Sequence, residues 1–102
     1  MSSLHLVFTS PWAGNALADC LRAASAGDAV LLLQDGVYAA AGGEKARGLL
    51  AQARQQAVHV HLLSPDLAAR GLQPDAGCPA QAVSDDGFVA LTEQHARVVS
   101  WF

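Results

Sequence analysis

The sequence predicts an α/β fold, a three-layer sandwich with a mostly parallel sheet of about five strands. Residues 29–33 form an uninterrupted apolar run, which is typical of a strand covered on both faces of a parallel sheet. Strand-like and helix-like segments alternate in the order βαβαβαβαβ, with short connections between them. The chain has 102 residues, which predicts a single domain over residues 1–102.

The central strand is predicted at residues 29–33, the first part of the stretch 29–38. Because residues 29–33 present no polar face, we expect this strand to lie inside the sheet. A sharp turn is predicted after it, since Asp35 can bond its own backbone and Gly36 can adopt a positive φ. The carboxyl ends of strands are where open α/β sheets usually bind ligands, but Asp-Gly is a common turn pair, so an ordinary turn is the favoured interpretation.

Four further strands are predicted from alternating apolar residues and from strand-forming side chains. They cover residues 4–8, 58–63, 80–83 and 98–102. The segment 58–63 alternates apolar and polar positions, so we expect it near an edge of the sheet. The segment 80–83 has the weakest pattern of the four.

Four helices are predicted between the strands. The first is expected to begin at an N-cap, Asn15, and to end at Gly27, and the second follows a flexible loop of small residues at 39–43. Ser64 and Ser84 are the predicted N-caps of the third and fourth helices. The inward rows of these helices are, in chain order, Leu17, Cys20, Leu21 and Ala24; Ala46, Leu49, Leu50 and Ala53; Leu67 and Leu72; and Phe88, Leu91, Thr92 and His95.

The composition is apolar for a small domain. Hydrophobic residues make up 52% of the chain and charged residues only 15%, which indicates that some apolar surface meets a partner. Alanine supplies much of the hydrophobic fraction and is common in helices, so composition bias explains part of the surplus.

Charge and hydropathy exclude two classes of ligand. The net charge is −3 and the six basic residues form no cluster, so direct binding to nucleic acid is not expected. No apolar run approaches the roughly 18 residues of a membrane span, and the first residues lack the features of a signal peptide. We therefore expect a cytoplasmic protein that does not bind membranes.

The two cysteines are the candidate nucleophiles. Cys20 and Cys78 lie far apart and lack metal-ligand spacing, so both are expected to be free thiols, with a disulfide possible but not favoured. Cys20 shares its helical row with apolar residues, a pattern that favours packing over reactivity. Cys78 lies between Gly77 and Pro79 and is expected to be an exposed thiol without a cationic neighbour in the sequence.

Other chemistry has little support in the sequence. His59 and His61 share one face of a strand, yet a closed metal site needs further ligands at a defined spacing, so a solvated or half-buried strand face is the favoured interpretation. Asp85 and Asp86 occupy the first turn of a helix, where carboxylates stabilise the helix dipole. No phosphate-binding glycine motif follows a strand, and we expect neither a cofactor nor a metal.

Several groups of residues resemble one known family when they are considered together. Each motif is short, but their order and spacing cover nearly the whole chain and resemble the DsrH/TusB family. The groups are Ser10, Pro11, Asn15 to Leu17, Cys20 and Leu21; Gly27, Asp28, Leu31, Leu32 and Gln34 to Ala40; Asp66, Leu67 and Ala69 to Leu72; and Gly87 to Val89, Leu91, Thr92, His95, Ser100 and Trp101. Family members often have an Asp-Tyr pair before the last helix, where this chain has Ser84 and Asp85.

The resemblance implies a fold like those of DsrE, DsrF and DsrH and a subunit of a persulfide sulfur-relay complex. Such a complex is a heterohexamer with two copies each of this subunit, a DsrE/TusD-like paralogue and a DsrF/TusC-like paralogue. It passes sulfur to a DsrC/TusE-like acceptor, either for 2-thiolation of the tRNA wobble uridine, which we favour as the more widespread role, or in dissimilatory sulfur oxidation.

The resemblance also leaves two roles open for Cys20. The main relay cysteine of such complexes lies on the DsrE/TusD-like paralogue, so Cys20 is a candidate secondary persulfide carrier, or the chain is a scaffold subunit without catalytic function. A carrier must be reachable, whereas the helical row predicts burial. We therefore predict a partly exposed Cys20 that alkylates more slowly than Cys78 but completely in the native state. A lone flavodoxin-like small-molecule binder is the least favoured alternative.

Overall fold

The computed structural model describes residues 1–75 and 77–102. Its strands are β1 (Ser3–Val7), β2 (Ala29–Leu32), β3 (His59–Leu63), β4 (Gln81–Val83) and β5 (Arg97–Trp101). Its α-helices are α1 (Ala16–Ala23), α2 (Glu44–Gln55), α3 (Ser64–Ala69) and α4 (Asp85–Gln94), and a 3-10 helix covers Gln34–Ala41. Each predicted strand and helix is present, with boundaries that differ by a few residues.

The five strands form one sheet in the order β4-β3-β2-β1-β5, and each pair of neighbours is parallel. The predicted α/β fold class is confirmed. β2 is the central strand, as its apolar run predicts, and all four of its residues are buried. β3 lies one strand from the edge because the short β4 covers its outer side.

The two faces of the sheet have separate apolar cores. One core joins α1 and α2 to the sheet residues that include Val7, Val30 and Leu62. The other core lies under α4 and contains Leu4, Leu31 and the single buried residue of that helix, Leu91. Since successive residues of a strand point to opposite faces, the continuous apolar run of β2 supplies both cores.

The prediction of a sharp turn at Gly36 after β2 is wrong. The chain continues directly into the 3-10 helix, and Gly36 does not adopt a positive φ, whereas Gln34, Gly42 and Gly43 do. Gly36 is required for a different reason, since a Cβ placed there would lie 2.2 Å from the carbonyl oxygen of Val7. Residues 39 and 40 are buried, so the start of the predicted flexible loop is packed in the core.

The helix ends also correct three predictions. Asn15 stands at the N-cap of α1 but its side chain makes no capping hydrogen bond, and α1 ends at Ala23, four residues before Gly27. Ser64 is the first residue of α3, not its N-cap. The Ser84 cap is confirmed, because its hydroxyl oxygen accepts a 3.1 Å hydrogen bond from the backbone N–H of Gly87. Within the described residues, no helix is both long and apolar enough to span a bilayer.

Candidate functional site

Cys20 lies in the core beneath α1. Its exposed fraction is 0%, so the prediction of partial exposure is wrong. The cause is the width of the buried face of the helix: Ala16, one turn before Cys20, is buried as well as Leu17 and Leu21. The buried stripe therefore extends to either side of the thiol, and the thiol does not reach the rim of the stripe.

Burial also suppresses the reactivity of this thiol. Desolvation, together with the negative charge of Asp28, raises the pKa of Cys20 from 9.0 to about 12. At neutral pH only about one thiol in 10⁵ would then be ionised, and the thiolate is the form that attacks a persulfide. Sulfur transfer through Cys20 would first require α1 to move away from the sheet.

Asp28 belongs to a buried polar network at the amino end of β2. Its carboxylate accepts hydrogen bonds from the backbone N–H groups of Ser3 and Ser25, each at 3.0 Å, and its Oδ2 lies 2.9 Å from His5 Nε2. The indole N–H of Trp101 donates a 3.0 Å bond to His5 Nδ1. The network therefore links the central strand to β1 and to β5 at the sheet edge.

The donors and acceptors fix the tautomer of His5. An indole N–H can only donate, so Nδ1 must accept and Nε2 must hold the proton that it donates to Asp28. Both ring nitrogens are occupied and His5 is only 4% exposed, which leaves no free nitrogen to act as a general base. The Asp28 and His5 pair thus has a structural role, despite its likeness to two members of a catalytic triad.

The carboxylate of Asp28 stays ionised inside the protein. Burial alone would raise its pKa, but the hydrogen bonds from His5, Ser25 and Ser3 outweigh burial and lower the pKa from 3.8 to about 2. Because the folded-state pKa is depressed, this group stabilises the fold above pH 4, and the contribution is lost as the pH falls towards 2.

The histidine pair on β3 offers no metal site. His59 is exposed and His61 half-buried, and the described part of the chain contains no group of three or more His, Cys, Asp or Glu side chains placed to hold a metal ion. Burial, and then the proximity of His59 and His95, lowers the pKa of His61, which favours its neutral form.

Cys78 differs from Cys20 in its surroundings. It is half-buried, and it lines a cavity of about 350 Å³ together with Arg47 and Arg54 of α2. No cationic neighbour is visible near Cys78 in the sequence, because both arginines lie more than twenty residues earlier in the chain. Of the candidates considered, the two thiols remain the groups suited to sulfur chemistry, and only Cys78 opens to a cavity.

Exposed apolar side chains lie on α4 and at the β5 edge. The exposed fractions are 54% for Val89, 48% for Val98 and 83% for Phe102. The Phe102 ring stacks on Phe8 with centroids 4.9 Å apart. These side chains belong to the apolar surplus that the composition predicts, and such groups favour contact with another protein.

Comparison with known proteins identifies the family. The family model described as DsrH like protein matches residues 9–98. The chain belongs to the DsrH family. Proteins named TusB from Shigella sonnei strain Ss046 and from Escherichia coli O139:H28 are each 38% identical to it, and both matches cover 96% of this chain and 99% of the relative. TusB from Pectobacterium parmentieri matches at the same identity and coverage.

Two solved structures share the fold of this DsrH-family chain. The crystal structure of the ychN protein from Escherichia coli superposes with a TM-score of 0.73 at 18% identity, covering 98% of this chain and 99% of that chain. The solution structure of Tm0979 from Thermotoga maritima gives 0.64 at 22% identity, covering 90% and 92%. At these identities the likeness concerns the fold alone.

Proposed function

We propose that this DsrH-family chain is a subunit of a cytoplasmic persulfide sulfur relay that acts in 2-thiolation of the tRNA wobble uridine. The observation that supports this proposal is the nearly full-length match to proteins named TusB at 38% identity. In this role the chain assembles in a heterohexamer with DsrE/TusD-like and DsrF/TusC-like paralogues, and the complex hands sulfur to a DsrC/TusE-like acceptor.

Within the complex, we assign the chain a structural role and assign the main sulfur-transfer chemistry to another subunit. The complete burial of Cys20 and its raised pKa favour a packing function for this residue. The competing proposal is that Cys20 carries persulfide sulfur, and it requires an opening of α1 that partner binding would have to induce. The exposed apolar side chains at 89, 98 and 102 supply surface for paralogous subunits.

In this role, other proteins of the pathway contact the tRNA. The net charge of −3, with six basic residues, gives this chain little attraction for a phosphate backbone. Its contribution to thiolation is therefore expected to depend on protein contacts and on sulfur transfer.

Deletion of the gene tests the function. We expect 2-thiouridine to disappear from bulk tRNA, measured by mass spectrometry of digested nucleosides, and to return when the wild-type chain is supplied from a plasmid. Purification of the tagged chain from the rescued strain should recover both paralogues. Unchanged 2-thiouridine after deletion would contradict the proposal, and impaired oxidation of reduced sulfur in the same strain would support the related sulfur-oxidation complex instead.

Persulfide mapping tests the role of Cys20. The native chain is incubated with a persulfide donor, and each cysteine peptide is examined for the addition of one sulfur atom, about 32 Da. We expect no addition on the Cys20 peptide, either alone or in the presence of the paralogues. Addition on Cys20 at a rate that matches turnover would establish it as a carrier.

A further inference from the structure

We propose that the cavity between α2 and the segment around Cys78 binds a small persulfide that bears a carboxylate, and that Cys78 accepts its outer sulfur. This inference rests on the proposed sulfur-relay function and names a thiol and a class of donor for it. The resemblance to the family assigned no role to Cys78, and nothing in its sequence neighbourhood indicated one.

The cavity has the size and shape of a small-molecule site. Its volume is about 350 Å³, within the range of cavities that hold small organic ligands. One wall is a single face of α2, because residues at i, i+3, i+4 and i+7 of a helix lie on the same side. The other walls come from the end of the 3-10 helix and from the chain before β4. The lining residues on α2 are Arg47, Leu50, Ala51 and Arg54.

The charged groups at the cavity favour an anion. Arg47 and Arg54 both line it. Among residues 1–75 and 77–102, no side chain forms a hydrogen bond or an ion pair with either guanidinium. Asp75 also lines the cavity, so its formal charge is +1, in a chain whose net charge is −3. A guanidinium offers a planar pair of donors that matches a carboxylate, and two of them can hold a ligand that carries more than one.

The thiol is placed at the same cavity. Cys78 is half-buried, and its backbone N–H donates a 2.9 Å hydrogen bond to the carbonyl oxygen of Asp75, which holds the Cys78 backbone close to that carboxylate residue. Apolar side chains, including Leu50 and Pro79, form part of the lining beside the thiol. Cys20, with no exposed surface, has no comparable access.

The transfer step needs no redox partner. The Cys78 thiolate attacks the outer sulfur of the donor R–S–S–H, a bond forms between Cys78 Sγ and that sulfur, and the donor S–S bond breaks with its electron pair left on R–S⁻. The R–S⁻ group takes up the proton that the Cys78 thiol released. The net change is Cys78–SH plus R–S–SH giving Cys78–S–SH plus R–SH, in which sulfur atoms, protons and electrons balance.

Charge selectivity of Cys78 tests the site. Native protein is treated with a dianionic disulfide, 5,5′-dithiobis(2-nitrobenzoate), and separately with the uncharged 2,2′-dithiodipyridine, and modification is assigned by peptide mass. In the Arg47→Gln/Arg54→Gln variant we expect the rate with the dianion to fall about 10-fold, since two attractive charges are lost, while the rate with the neutral probe stays within about 2-fold. Arg22→Gln, an exposed arginine on α1, is the matched control and should change neither rate.

Two outcomes would overturn the site. Equal rates for the double variant and the wild type with the dianion would show that the arginines attract no anion, and an equal fall with both probes would show only an altered access to Cys78. Because both arginines are exposed, the variants are expected to fold, and a melting curve checks this. If the double variant melts early, Arg54→Gln alone is used with the same criterion.

Sulfur transfer is measured in a separate arm. Native protein is incubated with glutathione persulfide, a molecule with two carboxylates. We expect the addition of one sulfur atom to the Cys78 peptide of the wild type, and no addition to the corresponding peptide of Cys78→Ala. No addition to Cys78 in the wild type would overturn the transfer step. The result is independent of the deletion experiment, because loss of 2-thiouridine on deletion together with an unreactive Cys78 would overturn this inference and leave the proposed function standing.

Discussion

Substitution of Gly36 by alanine should destabilise the protein strongly. The added Cβ would lie 2.2 Å from the carbonyl oxygen of Val7 and 3.2 Å from its carbonyl carbon. Ordinary contact begins at 3.4 Å, so one backbone must move by more than 1 Å. Val7 lies in β1 between two neighbouring strands, and its carbonyl oxygen also accepts a 3.2 Å hydrogen bond from Leu33. We expect a loss of about 3 kcal/mol in the free energy of unfolding.

Thermal unfolding followed by circular dichroism measures this loss. For a domain near 100 residues, about 3 kcal/mol lowers the Tm by roughly 12 °C or more. Gly48→Ala is the matched control, because Gly48 lies inside α2 with nothing within 4 Å of the added atom, and alanine there should stabilise the helix by about 0.5–1 kcal/mol. A Tm for Gly36→Ala within about 2 °C of wild type would refute the close approach of the 3-10 helix to β1.

Three further predictions concern the buried polar network and the thiols. Asp28→Asn should lower the free energy of unfolding by about 2–4 kcal/mol at pH 7, because it removes the carboxylate that accepts hydrogen bonds from His5 and two backbone N–H groups. The control, Asp86→Asn at an exposed position, should lower it by less than about 1 kcal/mol. Urea unfolding measures both values. In the wild type, the pKa of about 2 implies that ionised Asp28 contributes about 2 kcal/mol to the free energy of unfolding. This contribution is present above pH 4 and is lost as the pH falls towards 2. If the stability of the wild type and that of Asp28→Asn fell with pH in the same way, this contribution would be contradicted. Iodoacetamide should modify Cys78 alone in the native state and Cys20 only after denaturant is added, and rapid native labelling of Cys20 would contradict its burial.

The sheet could be predicted from the sequence because its pattern is local. The apolar run of β2 and the alternation in β3 depend on consecutive residues, so the period alone places the strands. Short connections between alternating strands and helices predict parallel pairing, whereas the spatial order of the strands, β4-β3-β2-β1-β5, was not predicted because it depends on contacts between distant segments. The Ser84 cap is likewise local, since the bond that it makes spans three residues.

The errors arise where distant segments meet. Gly36 is constrained by Val7, a residue on another strand, so the Asp-Gly pair gave the wrong reason for the glycine. The helical row correctly indicated that Cys20 faces the sheet, but how far it is covered depends on the strands beneath α1. Resemblance to the family favoured exposure, and the packing of this chain does not provide it.

The polar groups of interest were also hidden by sequence separation. Asp28 and His5 are 23 residues apart, and His5 and Trp101 are 96 apart, so their pairing has no local signal. The cavity at Cys78 depends in the same way on arginines from α2. An aspartate directly before a central strand and a histidine among apolar strand residues were the features that could have suggested a buried pair.

The 2-thiouridine content of tRNA in three strains tests the account most directly: the wild type, the deletion, and the deletion rescued with Cys20→Ala. We predict normal 2-thiouridine in the wild type, none in the deletion, and at least half of the wild-type amount in the Cys20→Ala strain, because Cys20 packs in the core and the proposed function places the main relay thiol on a paralogue. Normal 2-thiouridine in the deletion would contradict the proposed function. Its absence in the Cys20→Ala strain, with the variant still recovered in complex with both paralogues, would contradict the structural role and make Cys20 a sulfur carrier.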